Sequence, residues 1–207
     1  PYARLPQFLL NYVTGNAQGL QYEFNNDTAY FKKSIEDDSA LESSGTRIYN
    51  QLAMRYNYIT PSWFYAIPEV SVRTVNTFYD QDAQNGRGLS SDDLEKSVVV
   101  PQLSFATGIT FEKEGKYLQS ISPRAFYAYA PYRNQENHPN FDTTTASISY
   151  DQLFNPYRFY GHDRLDDNNF LSLGVSYNLI DPEGLERIRA SVGQSYYFSD
   201  RRVSLNQ

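Results

Sequence analysis

Phe170-Leu171-Ser172-Leu173-Gly174-Val175-Ser176-Tyr177-Asn178-Leu179-Ile180 alternates apolar with mostly small polar residues. Successive side chains of a strand point to opposite faces, so a strict period of two predicts a strand; a helix would repeat about every 3.6 residues. The following segment continues the alternation in the other phase. Ile188, Ala190, Val192, Tyr196 and Phe198 interleave with Arg187, Arg189, Ser191, Gly193 and Ser195, and Asp181-Pro182-Glu183-Gly184 reads as the tight turn joining the two.

Upstream the pattern recurs three times. Leu103, Phe105, Ile109 and Phe111 alternate with Gln102, Ser104, Ala106, Gly108 and Thr110. The chain then turns over Glu112 to Lys116 and returns with Tyr117, Ile121, Ala125, Tyr127 and Tyr129 on one face and Ser120, Ser122 and Arg124 on the other. Leu52, Met54, Tyr56 and Tyr58 form another strand, turning at Thr60-Pro61-Ser62 into a less regular one with Val70 and Val72. Phe8, Leu10 and Tyr12 lead into a turn near Gly15 to Gly19 and a return through Leu20, Tyr22 and Phe24. The expectation is about eight strands of roughly ten residues in four hairpins, a length that suits a tilted bilayer crossing.

Between the four short turns lie three long links, at about Lys32 to Thr46, Asp80 to Ser97 and Tyr132 to Asn169. Short connections on one side and long ones on the other are the rhythm of an outer-membrane barrel. The longest link carries Tyr150 to Phe154 and Pro156 to Phe159, aromatic-rich pieces that call for a surface to pack on.

Composition agrees with strands. Tyr and Phe number 19 and 13 against one Trp, and aromatic side chains suit pleated surfaces. There is no Cys, so disulfide frameworks and thiolate metal sites are excluded within the segment. Net charge is −6 with no basic cluster, which argues against nucleic acid as a partner. No apolar run approaches the length of a spanning helix, the nearest being Trp63 to Ile67. Mean hydropathy is negative, yet a barrel whose every second residue faces water also averages to polar. The chain begins at Pro1 without an initiator Met or leader, so any secretion signal is expected outside it.

The polar face carries mostly Ser, Gly, Ala, Gln and Arg rather than the Lys, Glu and Thr of a soluble sandwich, which suits a watery lumen. Tyr129, Tyr177, Tyr196 and Tyr197, near strand ends, suit the bilayer interface. Leu173, Val175, Val192, Phe105 and Ile109 hold the apolar phase and are expected to face lipid.

Chemistry has few candidates. His138 and His162 alone could act as near-neutral bases; both fall in the long link, and no serine sits in a nucleophile elbow, so no catalytic residue is expected. The acidic pairs Asp37-Asp38, Asp92-Asp93 and Asp166-Asp167 could hold divalent cations, but solvated loop charge is the simpler reading, and neither metal nor cofactor is expected. Arg55, Arg124, Arg187 and Arg189 fall in the polar phase; they could contact an anionic glycolipid or a plug protein, or pair with acids across strands. Asp163-Arg164 reads as a lock on the long link.

The run Leu118 to Gln135, LQSISPRAFYAYAPYRNQ, resembles the LEPRxxYLYVPYRDQ segment of the LptD family of lipopolysaccharide-assembly proteins. Phe141-Asp142-Thr143, then Leu153-Phe154 through Arg158-Phe159-Tyr160-Gly161 to Asp163-Arg164, then Glu186 to Phe198 follow in that family's order. The resemblance covers roughly the last ninety residues in one register and is loose before, at Leu5-Pro6-Gln7 and Thr46-Arg47. Nothing corresponds to the family's periplasmic jellyroll, its cysteines or the strands flanking its lateral gate.

The resemblance implies an all-β fold, residues 1–207 forming part of a transmembrane antiparallel up-and-down barrel in the bacterial outer membrane. It implies a non-enzymatic translocon that inserts lipopolysaccharide into the outer leaflet, with an LptE-type plug lipoprotein in the lumen. A periplasmic lipopolysaccharide-bridge protein would be met through an N-terminal domain outside this chain, and membrane lipid is the surroundings. The competing expectation is a small complete eight-stranded barrel with a structural or adhesive role.

Overall fold

The computed structural model describes residues 2–33, 44–80, 95–136 and 138–205. Eight long strands form one sheet: β1 (Tyr2–Gly15), β2 (Gly19–Lys33), β3 (Gly45–Ile59), β4 (Tyr65–Tyr79), β5 (Glu95–Gly108), β7 (Leu118–Ala130), β10 (Asn168–Ile180) and β11 (Glu186–Tyr197). They pair in the order β1-β2-β3-β4-β5-β7-β10-β11, every neighbour antiparallel. The short β6 (Phe111–Lys113) prolongs β5 along β7 in unbroken register: Gly108 faces Arg124 and Phe111 faces Ile121. Within the last link, β8 (Thr144–Thr145) pairs with β9 (Phe159–Tyr160), and Asp151–Phe154 make a 3-10 turn.

The four expected hairpins are present, with their turns at one end of the sheet and the long links at the other. β1 and β11 end the sheet and do not pair with one another, so the competing expectation of a closed eight-stranded barrel is not what these strands form. Gly15 (φ 105°) enters the first turn in the left-handed region, where a Cβ would lie 2.3 Å from the Leu20 carbonyl oxygen.

Burial is inverted relative to a water-soluble sheet. On one face Leu52, Met54, Leu103, Phe105 and Tyr196 are exposed, with Leu173 55% and Val192 70% accessible. On the other, Arg47, Arg73, Gln102 and Ser172 are buried. An apolar outside and polar inside is the arrangement hydrocarbon demands. Ile109, expected to be lipid-facing, is half-buried between β5 and β6.

The strands run to 12–15 residues, longer than the ten the alternation suggests. At the long-link end the two faces exchange character. There the inner face buries Ala29, Phe31, Tyr49, Val75, Val98 and Val100, while the outer face carries Asn26, Thr28, Asn50, Thr74 and Asn76. Hydrophobic alternation read along the sequence therefore reverses phase within one strand. β4, expected to be irregular, is a regular 15-residue strand that undergoes this reversal between Val72 and Val75.

Candidate functional site: the inner face and its inserted loop

The reversal has a cause: the segment between β7 and β10 folds onto the inner face at that end. Phe141 stacks on Phe31 of β2 at 4.6 Å, and the His162 ring stacks on Tyr49 of β3 at 3.8 Å. Leu165 joins Tyr49, Val75, Val98, Val100 and Ala130 in one apolar cluster. The aromatic-rich link does pack on the protein.

Buried charge fixes it. The Asp163 carboxylate accepts the backbone N–H groups of Phe141, Asp142 and Thr143 at 2.9, 2.9 and 3.1 Å and the Thr143 hydroxyl at 2.9 Å, and receives Arg47 of β3 at 2.7 Å. Arg47 also donates to Asp142, which pairs with Arg4 of β1. Burial would push the Asp142 carboxyl up, but the Arg47 hydrogen bond and charge, with Arg4, hold it below the usual carboxylate range. Arg164 donates to the carbonyls of His138, Pro139 and Ser204, so Asp163 and Arg164 lock the link as expected. Gly161 turns with φ 96° where a Cβ would meet the Thr143 hydroxyl at 2.6 Å.

Asp166 receives the backbone and Nε of Arg158, and burial pushes its carboxyl up; Asp167 receives the N–H groups of Arg202 and Val203. The Asp166-Asp167 pair is thus committed to holding chain. Asp37-Asp38 and Asp92-Asp93 lie outside the described residues. The His138 imidazole is pushed down to about 4 by burial and by the Arg164 charge, and that of His162 is lowered by burial and Arg47.

Nearer the middle, Ser172 donates its hydroxyl to the Leu153 carbonyl and accepts that of Ser195 at 2.6 Å. A Cβ on Gly174 would lie 2.6 Å from the Phe154 ring, and one on Gly193 would lie 2.9 Å from Leu153. The small residues of β10 and β11 therefore make a recess for the 3-10 turn. The polar face expected to border water is, over this part, filled by the chain itself.

The four arginines separate. Arg124 of β7 lies on the inner face, donates to Asp151 at 2.7 Å and spreads over the Phe154 ring at 3.7 Å. With Arg189, Ser122, Ser176 and Asn178 it borders an open polar hollow of about 340 Å³ beneath the 3-10 turn. Arg55 of β3 is held between Glu23 of β2 and Glu69 of β4, the latter at 2.9 Å. Arg187 is bound at 2.7 Å to Asp181, whose carboxyl is lowered by the N–H of Leu185, with help from Arg187 and Glu183. Arg189 pairs with Glu186 and is largely exposed.

Neither Arg73 nor Arg47, which the sequence brings in only through the loose Thr46-Arg47 resemblance, is among the site residues expected from sequence. Arg73 is buried, donates to Gln102 at 2.9 Å and to the Asp166 carbonyl, and lies over the Tyr157 ring at 5.0 Å. For Arg73 the signal was present, since it follows Val72 in the polar phase of β4; Arg47 lies where the outer face is itself polar, beside Thr46 and Asn50, and phase gave none.

Open apolar wall, polar interior and self-inserted loop agree with the family comparison. The family model for LptD, described as LPS transport system D, matches residues 1–207. The chain belongs to the LptD family. It is 75% identical over its whole length to the LPS-assembly protein LptD of Acinetobacter baumannii, of which it covers 25%. It is 41% identical to that of Psychrobacter cryohalolentis, covering 22%, and 32% identical over 99% of its length to that of Pseudomonas aeruginosa, covering 25%. The chain spans about a quarter of the length of the curated relatives it matches. Its open antiparallel sheet, apolar on the outside, agrees with a protein of the bacterial outer membrane.

Proposed function

We propose that the segment is one wall of an outer-membrane translocon that inserts lipopolysaccharide into the outer leaflet, working by holding a path open rather than by covalent chemistry. The observation that carries this is the inverted sheet, apolar outside and arginine-bearing inside. In this reading the long-link end lies outside the cell and the four tight turns face the periplasm.

The hollow with Arg124 and Arg189 is a part of the inner face open to a partner or to an anionic glycolipid, since guanidinium groups bind phosphate and carboxylate in paired hydrogen bonds. An LptE-type plug lipoprotein would occupy the lumen against it, and a periplasmic lipopolysaccharide-bridge protein would dock on parts of the protein beyond this chain. Arg55 and Arg187, each bound to acids of the wall, serve chiefly to hold the sheet.

The test is complementation by the full-length protein carrying Arg124→Ala and Arg189→Ala in cells depleted of the natural one. Surface lipopolysaccharide or co-purified plug lipoprotein should fall while heat-modifiable folding persists. Unchanged levels of both would remove these arginines from the function.

A further inference from the structure

The outer wall is not uniform. Tyr22, Met54, Val70, Leu103 and Tyr129 stand opposite one another in succession across β2, β3, β4, β5 and β7. The adjoining row is Leu52, Val72 and Pro101. Tyrosines close the first row at both ends around Met54, Val70 and Leu103, while Val72 and Pro101 keep the adjoining row low. The result is an open trough of about 550 Å³, apolar almost throughout, that crosses four strand spacings and ends against Pro131. Pairing between β5 and β7 begins at Leu103 and Tyr129, so Pro101, which has no N–H, stands where β5 runs on past its neighbour.

Toward the long links the outer surface changes abruptly. The next row holds Asn26, Asn50 and Thr74 and ends at Val99; the one beyond it holds Thr28, Asn76 and Ser97, with Ile48 between Thr28 and Asn76. Asn26 donates to Asn50 at 2.8 Å, Thr28 to Asn26 at 3.1 Å, and Ser97 to Asn76 at 2.7 Å. Same-face neighbours on a strand are about 7 Å apart, so this ladder of amides and hydroxyls begins within a sugar ring's reach of the trough. It carries no charge. A neutral ladder of donors and acceptors matches hydroxyl groups, as guanidinium pairs match phosphate.

We propose that this wall binds one glycolipid of the outer leaflet, with an acyl chain in the trough and sugar hydroxyls on the polar patch formed by the Asn26–Asn50 pair and the neighbouring Asn76–Ser97 pair. The site faces the membrane, not the lumen, and is separate from the inner hollow. The surface is continuous with the lipid-facing wall of an outer-membrane protein, which fixes the occupant as a lipid. Its choice as an outer-leaflet glycolipid rests on the reading that the long links lie outside the cell.

The experiment uses the full-length protein with its partner in nanodiscs of phosphatidylethanolamine, with or without rough lipopolysaccharide. A photoreactive side chain replaces Val72 or, as a lipid-facing control, Val192. Lipopolysaccharide adducts should be several-fold more abundant from position 72 than from 192. They should fall severalfold with Leu103→Trp, which fills the trough. Asn50→Leu should lower the lipopolysaccharide adduct at 72 severalfold while leaving the phosphatidylethanolamine adduct unchanged. Equal labelling at 72 and 192, or insensitivity to Leu103→Trp, would overturn the site. Selective labelling by phosphatidylethanolamine alone would overturn the glycolipid assignment. Cysteine labelling of Asn134→Cys in intact cells reports separately on sidedness, so failure of the orientation is distinguishable from failure of the trough.

Discussion

Asp163 and Arg47 meet at 2.7 Å on the inner face, the carboxylate also holding three consecutive backbone N–H groups of its own loop. One side chain thus folds the loop and fastens it to β3. Breaking a buried pair by removing one partner costs about 3 to 5 kcal/mol, because the other charge is left uncompensated. Asp163→Asn in the full-length protein should open residues 138–166 to protease while the sheet stays folded. Unchanged protection would show that the stacked rings hold the loop without the charge.

The recess at Gly174 predicts a different effect. Gly174→Val places carbon where the Phe154 and Tyr150 rings now lie, 2.6 and 2.9 Å from an added Cβ. Overpacking of this kind costs about 1 to 3 kcal/mol. The 3-10 turn should lift off, raising amide exchange over Tyr150 to Tyr157 with little change at Asn134; exchange at the wild-type rate would contradict the close fit.

Adjacent residues of β11 test the two faces. Arg at the lipid-facing Val192 should cost about 2 to 4 kcal/mol, whereas Arg at the inward Ser191 should be tolerated. Heat-modifiable migration in detergent reports both. Equal tolerance would remove the assignment of the outer face. Ser172 is a poor control for this purpose, since it is fully buried beneath the Leu153 carbonyl.

Acid should loosen the loop. Burial and Arg164 push the His138 imidazole down to about 4, against about 6.5 when unfolded. A depressed base contributes stability above its unfolded value, which is lost progressively as the pH falls from about 6.5 toward 4. His162 shifts the same way, while Asp166, raised by burial, works in the opposite sense. Amide exchange across 138–166 should therefore rise over that interval, and His138→Asn should flatten the rise. A pH-independent His138→Asn difference would contradict the assignment.

Sidedness follows from strand count. Cysteines at Asn134 and Glu183 lie at opposite ends of the sheet and should label from opposite sides of intact cells. Labelling of both from outside would refute the topology. Gly86 and Asn137, natural positions for such probes, lie outside the described residues.

Strand identity was legible wherever one face meets lipid and the other small polar groups, as from Phe170 to Ile180. It was obscured above Val72, where a packed loop makes the inner face apolar and water makes the outer face polar. Period-two reading still finds a strand there but assigns its faces wrongly, which is why Val75, Val98 and Val100 escaped notice as core. Arg124 falls in the polar phase of β7 and lies on the inner face, whereas the roles of Arg47 and Arg73 depend on partners about 90 to 120 residues away, Asp142, Asp163 and Asp166. No spacing rule connects those positions.

The inserted loop leaves β7 at Ala130 and enters β10 at Asn168, and those two residues face each other as the closing pair of one hairpin. Its tether is therefore a single seam of the wall. Withdrawing it would leave every rung between the long strands in place, with only side-chain contacts and the small β8–β9 ribbon at stake. What holds the loop, a few buried carboxylates with the Phe141, His162 and Leu165 contacts, is thus separate from the hydrogen-bonded rungs that hold the wall.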